Sequence, residues 1–219
     1  MNQALSRNRS EPNFDRVARL YRWAEYLSLG PLLQRTRTHF VPQLSGCRSA
    51  FVLGDGDGRF LARLLLQNLS LHAVAVDTST TMLHLLQQRC SFAGARLRSQ
   101  QESALTASPP RDADLIVTHF FLDCLTQAEV NGLASQIAAH TRPKTLWLLS
   151  DFQVPESGAA RPLARLYIRA LYLAFRLLTG LRVQHLPTPQ IALAHAGFTR
   201  IAHHRRLFGM LYTELWKRE

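Results

Sequence analysis

Residues 51–65 read FVLGDGDGRFLARLL: an apolar run, three glycines at alternate positions with aspartates between them, then an amphipathic stretch. The run before the glycines has the make-up of a short buried strand, and the stretch after them has helical spacing. A calcium loop opening at Asp55 and Asp57 needs another oxygen ligand and an acidic residue at its end, where Arg59 and Leu66 stand. A P-loop needs Gly-Lys-Ser/Thr, but Arg59 and Phe60 follow Gly58. The dinucleotide fingerprint needs a third glycine at 59. What remains is GxGxG between a strand and a helix. Glycine there lets the backbone turn sharply and approach a ligand closely, and the N–H groups opening the helix favour a carboxylate or phosphate.

Working outward, LHAVAVD (71–77) reads as a second strand ending at Asp77, about twenty residues past the last glycine, where a carboxylate accepts hydrogen bonds from ribose hydroxyls. A nucleoside cofactor with a carboxylate and no diphosphate suits both features. Further strands are expected over 95–101, 113–120 and 145–151, with helices over 78–89 and 127–140 between them. The helix after the glycines is expected to run to about Leu69. Beyond Asp151, helices over 162–179 and 188–196 precede strands at 198–205 and 208–216, spaced as an antiparallel hairpin at the sheet edge. The fold class is therefore α/β: a Rossmann-like, seven-stranded, mostly parallel sheet with helices on both faces and a C-terminal antiparallel hairpin. Upstream, 14–40 reads as a helical cap broken at Gly30-Pro31, and 1–13 as a flexible polar leader without the apolar core of a secretory signal.

The 219 residues suit a single domain over 14–219, with a helical insert over 155–182. No apolar run approaches the roughly 20 residues of a membrane span. Cys47, Cys90 and Cys124 form no CxxC, which indicates neither a zinc site nor a disulfide framework and fits a cytoplasmic location. The net charge of +11 is nearly all arginine, since only Lys144 and Lys217 are lysines. It reads either as surface charge or as the footprint of an anionic partner.

GDGDGRF (54–60) resembles the first motif of the class I S-adenosylmethionine-dependent methyltransferases, and VDTSTTMLHLLQQR (76–89) resembles their second-strand pattern. DLIVTHFFLD (114–123) is similar to their fourth strand, and FGMLYTELW (208–216) to their reversed seventh. FDRVARLY (14–21) resembles the opening helix of the ubiquinone/menaquinone-type small-molecule enzymes. The resemblance implies S-adenosyl-L-methionine as cofactor, held by Tyr21, Gly54, Asp55, Gly56, Gly58, Asp77, Thr78, Met82, Glu102, Ser103 and His119. Glu102 sits where the family places the acidic residue for the adenine amino group, usually Asp. Val52 stands where the family has an acidic residue that positions the methionine ammonium; Asp55, Asp57 or a backbone carbonyl are the available substitutes.

Methyl transfer is an in-line displacement that needs alignment and dryness rather than a metal, so no metal site is expected. The candidate catalytic residues are His119 and Asp123. His119 ends the fourth strand, where open α/β sheets bind ligands, and reads as a base or as packing beside the cofactor. Asp123 orients a base, binds acceptor hydroxyls, or caps the helix beginning near Thr126. Asp151 faces the same rim as a substrate contact or a loop carboxylate, and Met82 is helix core or a cofactor contact. In RPLARLYIRALYLAFRLLTG (161–180), Arg161, Arg165, Arg169 and Arg176 share one helical stripe, with Leu163, Leu166, Leu173, Phe175 and Leu177 on the other side. This helix reads as a covering helix, a lid over a lipophilic acceptor, or a peripheral membrane contact.

The leading functional reading is methyl transfer to a small, apolar or aromatic acceptor. The alternatives are an RNA or protein methyltransferase, and a non-catalytic S-adenosylmethionine-binding protein. DNA is not an expected partner. The charge favours RNA, but Thr-His-Phe-Phe (118–121) stands where an Asn-Pro-Pro-Tyr-type signature would be.

Overall fold

The computed structural model describes residues 29–155, 157, 161–179 and 186–219. The expected leader, Tyr21, the expected cap up to residue 28, and 156, 158–160 and 180–182 of the expected insert lie outside the described residues. The seven strands are β1 (Ser49–Leu53), β2 (His72–Asp77), β3 (Leu97–Gln101), β4 (Leu115–His119), β5 (Leu146–Phe152), β6 (Phe198–Arg206) and β7 (Leu211–Arg218). They form one sheet in the order β3-β2-β1-β4-β5-β7-β6. β1 to β5 pair in parallel, and β7 runs antiparallel to both β5 and β6. The hairpin therefore joins the sheet through its second strand, leaving β6 at the edge.

The helices are α1 (Gly30–Arg37), α2 (Arg59–Gln67), α3 (Thr80–Arg89), α4 (Gln127–His140), α5 (Arg161–Thr179) and α6 (Pro189–His195). β1 and β4 are buried at every position because alternate side chains enter two different cores. Val52, Val117, Leu148 and Leu215 pack with Phe60, Leu64 and Leu65 of α2 and Leu86 of α3. Phe51, Ile116, Trp147 and Trp216 pack on the opposite face with Val130, Leu133 and Ile137 of α4 and Leu193 of α6. A third cluster, Leu33, Phe152, Ala164, Ile168, Met210 and Leu211, ties α1 and α5 to the C-terminal end of β5.

Local chemistry sets the boundaries. Ser79 caps α3 by accepting from Met82 N–H, and Thr126 with Glu129 forms a full capping box on α4. The helix after the glycines stops at Gln67 rather than Leu69, because Asn68 is extended and uses its side chain elsewhere. Its Nδ2 donates to the carbonyls of Leu44, Ser45 and Cys47, and its Oδ1 accepts from Ser70 N–H and Oγ. Asp114 likewise accepts from the N–H groups of Arg48 and Ser49, locking the entry of β1 to that of β4. Leu207 and Phe208 have positive φ, so the last strand starts at Leu211 rather than 208.

Asn68 is buried and satisfies several main-chain groups at once. Asn68→Ala is expected to cost about 2–3 kcal/mol, the penalty for buried carbonyls left without donors. Urea denaturation would measure it, and a loss below about 0.5 kcal/mol, typical of a neutral surface change, would contradict the clasp.

Candidate functional site

β1 leads into α2 and on to β2, while β4 leads the opposite way through α4 to β5, so a crevice opens where the C-terminal ends of β1 and β4 meet. The glycine loop floors it. Gly54, Gly56 and Gly58 all have positive φ, at 65°, 60° and 78°, but their surroundings differ. A Cβ at Gly58 would lie 2.9 Å from Leu86 Cγ and 3.0 Å from its Cα, so this glycine lets α3 close on the loop. A Cβ at Gly56 would meet nothing within 4 Å. That position faces open space, as a close backbone approach to a ligand requires.

The two loop aspartates are employed within the fold. Asp55 Oδ2 accepts from Leu61 N–H at 3.0 Å and so serves the first turn of α2. Asp57 is bound by Arg59 at 3.0 Å and by Arg89 at 2.9 Å, which ties the loop to the end of α3. Asp57 is thus not available as the substitute for an acidic residue at 52, and Val52 is itself buried in the core. At the neighbouring rim, half-buried Asp77 accepts from Ser79 N–H, and its carbonyl accepts from Glu102 N–H. That bond brings Thr78 and Glu102 beside the same end of the crevice. Glu102 is exposed and accepts from Thr106 Oγ1, while Ser103 Oγ caps the following turn at Leu105 N–H. Met82 is buried within α3.

His119 is 3% exposed and lies edge-on to Phe60, with ring centroids 4.3 Å apart. Its Nδ1 is 2.9 Å from Ser150 Oγ; Ser150 donates to Thr213 Oγ1, and Thr213 donates to Leu149 O. Each hydroxyl has one hydrogen, and both are used along this relay. Ser150 Oγ can therefore only accept from the imidazole, which places the proton on Nδ1 and the lone pair on Nε2. Nε2 is buried and has no hydrogen-bond partner among the described residues. Burial, and then the charge of Arg37, push the His119 pKa well below the usual histidine value. The site therefore keeps a neutral imidazole that accepts a hydrogen bond and holds an abstracted proton poorly. Arg37 of α1 also lies over the Phe120 ring, 5.0 Å from its centroid.

Past His119, Phe120 has a φ of 51°, an uncommon conformation for an aromatic residue. The turn lays Phe121 against Gly54 and carries Asp123 to the end of β5. There Asp151 Oδ2 accepts from Asp123 N–H at 3.1 Å, and Oδ1 accepts from Phe152 N–H at 3.0 Å. Burial, and then the neighbouring Asp123 carboxylate, raise the Asp151 pKa well above the carboxylate range, so it keeps a proton and shares it with Asp123. Asp123 does not cap the following helix; Thr126 does. The C-terminal edge of the sheet thus carries the glycine loop, Asp77 with Thr78, and Glu102 with Ser103, and beyond β1 the buried His119, Asp123 and Asp151. The sequence reading missed Ser150, Thr213 and Arg37, which reach the site only through strand register and helix packing.

A neutral His119 in the folded state has a defined pH signature. The unfolded chain takes up the proton first, so this contribution to stability is complete above about pH 6.5 and is lost as pH falls below it. Long-range nitrogen–proton NMR should find His119 as the Nδ1–H tautomer and still neutral at pH 6. An Nε2–H tautomer, or titration near the ordinary histidine pKa, would contradict the relay.

Residues 51–144 match a family model described as a methyltransferase domain. No curated protein matches the chain at a significant level. Among solved structures, an O-methyltransferase family protein from Burkholderia thailandensis superposes with a TM-score of 0.69 at 17% identity, over 96% of this chain and 65% of its own. Mitomycin 7-O-methyltransferase MmcR gives 0.70 at 16%, over 94% and 61%. An O-methyltransferase family 2 protein from Planctomyces limnophilus, in complex with apigenin, gives 0.68 at 17%, over 92% and 62%. The chain thus spans less than two thirds of the length of these three structures. Residues 51–144 thus carry a match to a methyltransferase domain, and the strand order, with the glycine loop at its switch point, is the α/β fold that these structures share.

Proposed function

We propose that the protein transfers a methyl group from S-adenosylmethionine to a small, apolar or aromatic acceptor. The observation that carries this reading is the open space at Gly56, in a GxGxG loop at the crevice between β1 and β4. The residues present fit the cofactor. The loop backbone gives a close approach for its methionine end, flanked by Gly54 and Gly58 and by Asp55 at the head of α2. In this reading Asp77 and Thr78 receive the ribose hydroxyls, and Glu102 and Ser103 the adenine edge. His119 Nε2, an acceptor without a partner among the described residues, suits a donor on the bound molecule such as an ammonium or a hydroxyl.

S-adenosylmethionine, when bound, supplies an electrophilic methyl on a sulfonium sulfur. The chain's contribution is to align an acceptor with that methyl and to exclude water. Phe120, Phe121 and Phe152 line the turn between β4 and the end of β5 and favour an apolar or aromatic molecule. The apigenin complex and the mitomycin enzyme among the similar structures support that class. Asp123, held beside a protonated Asp151, is the group to accept a hydrogen bond, and then the proton, from an acceptor hydroxyl. His119 is the poorer base, because burial opposes its charging.

The experiment is turnover with labelled S-adenosylmethionine against a panel of phenols, flavonoids and quinols. The wild-type protein is expected to methylate at least one class. Asp123→Asn should lower kcat by about 100-fold, the lower end for general-base removal, with cofactor affinity unchanged. Unchanged kcat in the variant would remove Asp123 from the chemistry. Saturable cofactor binding with no turnover on any acceptor would favour the non-catalytic alternative.

A further inference from the structure

The outer face of α5 has a composition that its packing does not explain. The helix is anchored through Ala164 and Ile168, buried in the cluster with Phe152, Met210 and Leu211. A surface helix anchored along one stripe ordinarily presents polar residues elsewhere. Here Leu163 and Leu166 are 74% and 68% exposed. With exposed Ala170 they form an i, i+3, i+7 stripe pointing away from the core. Beside it runs a second exposed stripe, Arg161, Arg165 and Arg169. The segment 161–179 contains no Asp or Glu, so these cations have no acidic partner within their own helix. The sequence continues both spacings at Leu173, Leu177 and Arg176.

The hairpin tip adds an aromatic residue at the same edge of the molecule. Leu207 packs against the cluster that α5 covers, and Phe208, next in sequence, is 82% exposed. Phe208 has a φ of 53°, a left-handed conformation that costs a non-glycine residue energy. Leucines and a phenylalanine beside arginines are the composition of an element lying in a bilayer interface: apolar side chains enter the acyl boundary while guanidinium groups stay with phosphates. Among the described residues no helix is long and apolar enough to cross a membrane, so the geometry is that of an element lying on the surface.

We propose that the leucine and arginine stripes of α5, together with Phe208 at the hairpin tip, dock on the headgroup layer of an anionic lipid bilayer. This inference goes beyond the cofactor and acceptor reading and does not depend on it, because none of its residues lies in the glycine crevice. A second copy of the chain is the competing occupant of an exposed leucine face, but the uncompensated arginine stripe would be brought close to another positive surface in such a contact.

The test is flotation of the full chain with vesicles of phosphatidylcholine alone, or of phosphatidylcholine mixed with phosphatidylglycerol. The expected result is binding to the anionic vesicles, released by salt, and little binding to the neutral ones. Arg161→Gln/Arg165→Gln/Arg169→Gln should weaken anionic-vesicle affinity on the order of 100-fold, at about fivefold per arginine. Leu163→Ser/Leu166→Ser/Phe208→Ser should weaken it at least tenfold at every salt concentration where binding is seen, about what the loss of a single large apolar contact would do. All six side chains are exposed, so circular dichroism and S-adenosylmethionine affinity should match the wild type in both variants. No flotation, equal binding to both vesicle types, or wild-type flotation by the variants would overturn the proposal. So would an oligomer that the leucine variant dissociates without changing flotation.

Discussion

The structure depends on one steric constraint: the chain must leave β1 through a loop whose three alternate glycines all take positive φ. Leu86 closes on Gly58 from α3, and Phe121 closes on Gly54 from the turn after β4. Those two contacts hold the loop between α3 and β4, so that only the middle glycine faces open space. A side chain at Gly58 would force Leu86 and its backbone to shift, in the helix that also carries Arg89, whose guanidinium holds Asp57. The loop is thus rigid where it meets protein and bare where a ligand would pass.

The polar groups around this crevice follow from burial. Thr213, Ser150 and His119 sit on three adjacent strands, β7, β5 and β4, in direct register. Their hydrogen bonds run in one direction because the terminal acceptor, a backbone carbonyl, takes the hydroxyl proton and leaves only one arrangement for the rest. The relay fixes the imidazole tautomer without a charged partner, which matters beside Arg37. On the opposite side of the sheet the Asp123–Asp151 pair solves a different problem. Two buried carboxylates cannot both ionise in contact, so Asp151 retains a proton, and two backbone N–H groups hold it in place. The two faces of the sheet therefore carry, near its C-terminal edge, a histidine kept neutral by loss of a proton and a carboxyl kept neutral by keeping one.

Much of the fold was legible because the apolar runs are short, bounded and alternate with helical periodicity. The seven strands and the helices 78–89 and 127–140 follow from that pattern, and their ends differ by a few residues where Asn68, Gly94 or Leu207 interrupts. The glycine loop was legible because its residues are near neighbours in sequence. Gly54 follows β1, Gly58 caps α2 and Asp77 ends β2, and such punctuation is visible locally. The relay was not, because Ser150 and Thr213 are ordinary strand residues whose meaning depends on β7 lying beside β5. Arg37 was equally hidden, since its approach to His119 and Phe120 depends on how α1 lies across the sheet. Asp123 read ambiguously as cap or site residue until Thr126 proved to be the cap. For α5, periodicity separated arginines from leucines, but it did not show that Leu163 and Leu166 face outward rather than into the core.

The central claim is that the bare backbone at Gly56 seats the methionine end of S-adenosylmethionine, and calorimetric titration tests it most directly. The protein is expected to bind S-adenosylmethionine and S-adenosylhomocysteine with micromolar affinity, and NAD at least 100-fold more weakly, with Gly56→Arg folded but unable to bind. Absence of binding to the folded wild-type protein, or unchanged affinity in Gly56→Arg, would contradict the account.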